Sequence, residues 1–78
     1  MKTTIYFEMV RRRRDRVAIR DSWITRVVAH PEHERAQADG RIRRWARIDE
    51  AGGRSLRVVV LADGETVHNA FFDRGFAR

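Results

Sequence analysis

The chain has 78 residues, with 17 Lys plus Arg against 11 Asp plus Glu, a formal net charge of +6, and no cysteine. A chain of this length forms one small domain that buries about 60–65% of its unfolded surface. Disulfides and thiolate metal sites are excluded, and no apolar run approaches the ~20 residues needed to cross a bilayer. The positive excess favours an anionic partner, but GC-rich coding also enriches arginine, and Lys2 is the only lysine. Placement of the arginines therefore says more than their number.

The opening segment carries Lys2 and Glu8 within its apolar stretch and lacks a small-residue cleavage pattern, so no secretory signal is expected and a cytoplasmic, bacterial-type protein is. Residues 3–10 mix strand formers with Glu8 and Met9, which leaves a short strand over residues 3–7 open beside a helix from Phe7 to Asp15. The run Arg11-Arg12-Arg13-Arg14 reads equally as a solvated helix face and as a grip for phosphates or an acidic protein. Asp21 then suits a helix N-cap, and Trp23, Ile24, Val27 and Val28 recur at helical spacing. Pro31 disfavours helical geometry at His30, so this helix should stop near Ala29. From Pro31 to Asp39 the chain is polar and reads as a loop. His30, Glu32, His33 and Glu34 crowd metal-ligand types there, but without His-x-x-x-His spacing or cysteine they predict no metal site.

Three strands follow, over residues 41–48, 56–62 and 65–72. Asp49-Glu50-Ala51-Gly52-Gly53 makes the first turn. Asp63-Gly64 between two β-rich runs signals a two-residue type I′ hairpin, which would pair Leu61 with Thr66, Val59 with His68 and Arg57 with Ala70. Leu56, Val58, Val60, Val67, Asn69 and Phe71 then take the other face, and Ile42, Ala46 and Ile48 should join them, since a one-residue slip would expose all three. The opposite face receives Arg41, Arg43, Trp45, Arg47, Arg57, Thr66 and His68. Arg44 falls on the apolar side and is expected to reach solvent from a sheet edge. Asn69, the only asparagine, is expected among the core residues, pinning the helix connection or the sheet edge. Asp73 and Arg74 are expected to pair and close the tail against the body. The fold class is thus α+β over residues 1–78: two short N-terminal helices on one face of a three-stranded antiparallel sheet, with residues 3–7 as candidate fourth strand.

Asp39-Gly40-Arg41-Ile42-Arg43-Arg44-Trp45, Leu56-Arg57-Val58-Val59 and the run from Asp63 to Arg74 (DGETVHNAFFDR) resemble a family of small uncharacterised bacterial proteins. That family is similar in size, basicity and element order to the BrnT and RelE/ParE-like toxin group. The resemblance spans most of residues 15–74. It implies an RNA-cleaving or ribosome-directed toxin neutralised by a partner protein, and it transfers no individual catalytic residue.

The residues themselves suggest two chemistries for the polar sheet face. Guanidiniums at Arg41, Arg43 and Arg47 pair with phosphates, and Trp45 between them offers a base a stacking partner, so RNA is the first candidate ligand. A metal-independent endoribonuclease would add His68 as acid or base and Arg57, with Arg43, to stabilise the charge developing on phosphate. The plainer alternative is a packed strand histidine among solvated arginines. No Gly-rich phosphate loop, nucleophile elbow or other cofactor motif is present, so no cofactor is expected. Partners in view are RNA, an acidic antitoxin-like protein, or a second copy pairing sheet edges or burying Trp45 and Phe76. A membrane partner is not expected.

Overall fold

The structure, a computed structural model, describes residues 1–76. Thr4 opens α1 (Ile5–Val10): its Oγ1 accepts a hydrogen bond from the Phe7 amide at 3.1 Å. The helix buries Phe7 and Val10, then ends well short of Asp15. Past Arg11 the backbone tightens into turns, with Arg12 N donating to Met9 O and Arg13 N to Val10 O. Successive arginines gain nothing from a helix that buries none of them and brings their like charges together.

Helix α2 (Asp21–Ala29) turns Trp23, Ile24 and Val27 inward and stops before Pro31, as the spacing predicts. Asp21 is its first helical residue rather than its N-cap; Arg20 occupies the cap and makes no side-chain cap bond. The Asp21 carboxylate is instead bound by the Arg11 guanidinium, which joins the two helices.

The sheet has four antiparallel strands in the order β1 (His33–Ala36), β2 (Ile42–Ile48), β3 (Arg54–Val60) and β4 (Val67–Phe72). The fourth strand is therefore β1, inside the segment read as a loop. All four of its residues are exposed, so it carries no apolar alternation to reveal it. It is held by its ladder with β2, where Glu34 faces Arg44 and Arg35 faces Arg43. Residues 3–7 contribute only a single parallel bridge, Thr3 to Val67, before α1 begins.

Ile42 opposite Val60 and Ala46 opposite Leu56 give β2 and β3 the register that hydrophobicity requires. The next hairpin departs from expectation. A type I′ turn needs positive φ at both central residues, and among the described residues none other than glycine has one. Asp63 instead folds its carboxylate over the loop, accepting from the Glu65 and Thr66 amides at 2.9 Å and from the Thr66 hydroxyl. Gly64, at φ 74°, takes the left-handed position after a turn closed by its amide on Leu61 O. Leu61 N still donates to Thr66 O, but Thr66 belongs to the loop rather than to the sheet face.

The register then shifts between Val59 and Val60: Val60 faces Val67, Val59 faces Asn69, and His68 is the extra residue of a bulge. The Val67 backbone pairs with the N-terminal segment, donating to Lys2 O and accepting from Thr4 N, while its side chain stays in the core. This slip of one residue reverses the facing of the rest of β4. Ala70 enters the core at 2% exposure, whereas Phe71 and Asn69 move to the face opposite the helices. Asn69 does hold the helix connection: its Oδ1 accepts from Arg16 at 2.9 Å.

The core lies between the helices and one sheet face, with Ile24, Val27, Ile48, Leu56, Val58, Val60 and Val67 all essentially inaccessible. Arg44 does not escape from an edge. It stays on this side, donating to Glu34, to Val28 O at the end of α2 and to Gly64 O, so one guanidinium ties helix, edge strand and hairpin. Arg26 of α2 holds Glu50 in the 3-10 turn Asp49–Ala51, and this hydrogen bond is the main reason the Glu50 carboxyl falls to about 2.

Candidate functional site

Among the described residues no helix packs across the other face of the sheet, which holds a concavity of about 380 Å³ lined by Tyr6 of α1 together with Gln37, Arg41, Arg43, Arg57, Val59, His68, Asn69 and Phe71. Each wall has a local cause. Arg43 and Arg57 alternate outward from β2 and β3 on a diagonal, two residues apart in register, Arg43 facing Val59 and Arg57 facing Trp45. Arg41 stands at the mouth of the β1–β2 hairpin, where Gly40 at φ 91° turns the chain and the Arg41 amide donates to Asp39 at 3.0 Å. Phe71 and Asn69 arrive through the bulge.

The bulge also sets His68. Its ring stacks on Tyr6 with centroids 4.8 Å apart and planes 24° from parallel, and Nδ1 lies 3.1 Å from Thr4 Oγ1. Thr4 Oγ1 accepts from Phe7 N and has a second lone pair, so it serves His68 Nδ1 as donor or as acceptor according to the ring's tautomer; with the proton on Nδ1, Nε2 is the free acceptor. Burial lowers the His68 pKa from its usual range, and the charge of Arg41 adds to the effect against a smaller opposing pull from Asp39. That lowering favours the neutral ring.

The three arginines differ in what already occupies them. Arg41 pairs with Asp39 at 3.6 Å, and Arg57 binds Asp73 at 2.9 Å. Arg43 has no carboxylate partner among the described residues, and its Nε is buried without a hydrogen bond. It is the guanidinium most available to an incoming anion.

Trp45 lies on the same sheet face, but its indole is not open to a base. It is 5% exposed. Phe76 stacks on it at 4.7 Å and 15°, Arg57 sits 5.3 Å from its ring centroid, and His33 packs at 5.4 Å. Its Nε1 donates to Asp73 at 3.0 Å. Trp45 is thus buried within one chain, beneath a half-buried Phe76. Asp73, expected to pair with Arg74, takes Arg57 and Trp45 instead: burial raises its carboxyl pKa, but those two hydrogen bonds prevail and hold it below the usual range. Around this group lies a second concavity of about 590 Å³, reached by Arg35 and sharing Arg43 and Arg57 with the first.

Of the residues singled out from sequence, Arg41, Arg43, Arg57 and His68 line one concavity. Trp45 lies in the second, and Arg47, opposite Ser55 and exposed, lies in neither. Thr4, Tyr6 and Asp73 were missed. Thr4 and Tyr6 reach His68 across 64 and 62 positions of chain, which no local pattern signals. Among the described residues no three His, Asp or Glu side chains gather as metal ligands, and no helix is long and apolar enough to cross a membrane. No protein-family model, curated protein or solved structure matches the chain.

Proposed function

We propose that this protein binds single-stranded RNA on the uncovered face of its sheet. The observation that carries the reading is the convergence of Arg41, Arg43 and Arg57 on one open concavity beside His68 and the aromatic rings of Tyr6 and Phe71. Guanidiniums take phosphate oxygens in a fork, and aromatic faces accept unstacked bases of any sequence. A duplex fits less well, because its bases are already stacked and a recessed site cannot reach them. The chain's net charge of +6 adds long-range attraction.

Cleavage is the stronger form of this reading. His68 would take the proton from a 2′-hydroxyl as that oxygen attacks the adjacent phosphorus, while Arg43 and Arg57 stabilise the charge gathering on the phosphoryl oxygens. The 5′-oxygen leaves with a proton from water, giving a 2′,3′-cyclic phosphate without a metal. A toxin-like role in the cell belongs with this form, and arrest of growth on expression, relieved by His68→Ala, would accompany it.

The test is binding of a fluorescein-labelled octauridylate followed by anisotropy across a salt series, with gel analysis for cleavage. Affinity that falls steeply with salt supports the reading; no binding at low salt overturns it. Cleavage by parent and His68→Ala at equal rates would remove His68 from the chemistry while leaving binding intact.

A protein-interaction role is favoured by one separate observation. The large hydrophobics left exposed cluster in the first 17 residues: Met1, Ile5, Tyr6, Met9 and Val17, with Ile5 at 83% and Met9 at 67%. Ile5 and Met9 are four apart on α1, one ridge beside the arginine run. Under that reading the protein self-associates or captures a partner irrespective of salt, and sedimentation of the purified chain reports it.

A further inference from the structure

The turn after β4 places on Trp45 and Arg57 an aromatic ring and an anion, counterparts of a nucleotide's base and phosphate. The Phe76 ring lies against the indole in a near-parallel stack, as a base would, and the Asp73 carboxylate sits on Arg57 Nε at 3.0 Å and Nη2 at 2.9 Å, as a phosphate would. Both contacts come from one short turn closed on itself, in which Gly75 N donates to Asp73 Oδ1 at 3.1 Å. The concavity around this turn shares Arg43 and Arg57 with the one that holds His68. A strand of RNA whose phosphate sits on Arg43 is therefore led directly to the ground that the turn covers.

We infer that Trp45 and Arg57 form a second nucleotide subsite, and that the chain's own C-terminal turn occupies it, Phe76 in place of a base and Asp73 in place of a phosphate, until RNA displaces them. The inference rests on the RNA-binding reading above and adds to it a ligand of at least two nucleotides and an internal competitor. The turn is anchored at its start by Asp73 N donating to Ser55 O at 2.9 Å, and beyond that by contacts to Trp45, Arg57 and His33 outside the main core; neither Asp73 nor Phe76 is fully buried. Such a segment opens at lower cost than the sheet beneath it. Affinity for RNA is then reduced by the fraction of molecules in which the turn is closed.

This competition has a sign that ordinary packing does not. If Phe76 were simply part of a binding surface, its removal would weaken RNA binding. As a competitor, its removal strengthens it. Phe76→Ala changes no charge, so a gain cannot come from general electrostatics. The expected result is octauridylate bound about threefold or more tightly by Phe76→Ala than by the parent. Asp73→Asn should act in the same direction, by more than Glu50→Gln, which removes an equal charge on the helix side of the sheet. In the unaltered protein, the indole N–H resonance of Trp45 should move as octauridylate is added, because its bond to Asp73 is broken.

Equal or weaker binding by Phe76→Ala overturns the competitor. A Trp45 resonance that stays in place while the arginine side chains respond overturns it independently, and needs no variant to fold. In both cases the RNA-binding reading survives. Failure of parent and variants alike to bind octauridylate removes that reading and this inference together.

Discussion

Arg43→Ala separates binding from folding more cleanly than any other substitution on the open face. Arg43 makes no ion pair among the described residues, and its Nε is a buried donor without a partner. Deleting the side chain therefore breaks no ion pair there and relieves one unsatisfied group, so stability should change by less than about 1 kcal/mol. Arg57→Ala would not be so clean, because it strands the Asp73 carboxylate beside Trp45. Binding should respond very differently. A charge-assisted hydrogen bond contributes about 1.5–3 kcal/mol, so loss of a phosphate contact at Arg43 predicts an affinity roughly 10- to 100-fold lower. Each phosphate neutralised on a single strand contributes about 0.7 to the slope of log affinity against log salt, and that slope should fall by about this amount. Anisotropy with labelled octauridylate at several salt concentrations measures both quantities, and urea unfolding measures the stability. An unchanged affinity with an unchanged slope would refute the assignment of Arg43 as a phosphate ligand. A large loss of stability would refute the account of its packing.

Leu56→Ala removes a side chain that is completely inaccessible at the centre of β3 and should destabilise the fold by about 2–5 kcal/mol, read as a lower urea midpoint. Glu50 titrates near 2 in the folded protein, below its unfolded value, so its contribution is present above the unfolded pKa and fades as pH falls from about 4.5 towards 2; Glu50→Gln should flatten the stability curve in that window, as followed by circular dichroism. The His68 pKa is lowered on folding, so the folded state binds fewer protons near neutrality and stability rises with pH through the titration. Its NMR midpoint should lie below about 6.5 and move up in Arg41→Gln, which removes one of the two lowering influences.

The part of this fold that chain order alone determined rests on short-range rules. Pro31 ends α2, alternation in residues 42–48 and 54–60 sets strands with one apolar face, and that face demands helices above it. Two helices and an antiparallel sheet are thus legible, as is the placement of Arg43, Trp45 and Arg57 opposite the core. The edge strand β1 was not, because all its residues are exposed and backbone pairing leaves no mark on composition. The register of β4 was not either: the N-terminal segment competes for Val67 across more than sixty residues, and Asp63 spends its carboxylate on its own loop. Only the folded molecule could decide that Phe71 faces outward, that His68 meets Thr4 and Tyr6, and that the tail covers the indole. Hydrophobic periodicity reports which side of an element is buried, whereas these contacts depend on where distant segments meet, and that is settled by the packing of the whole chain.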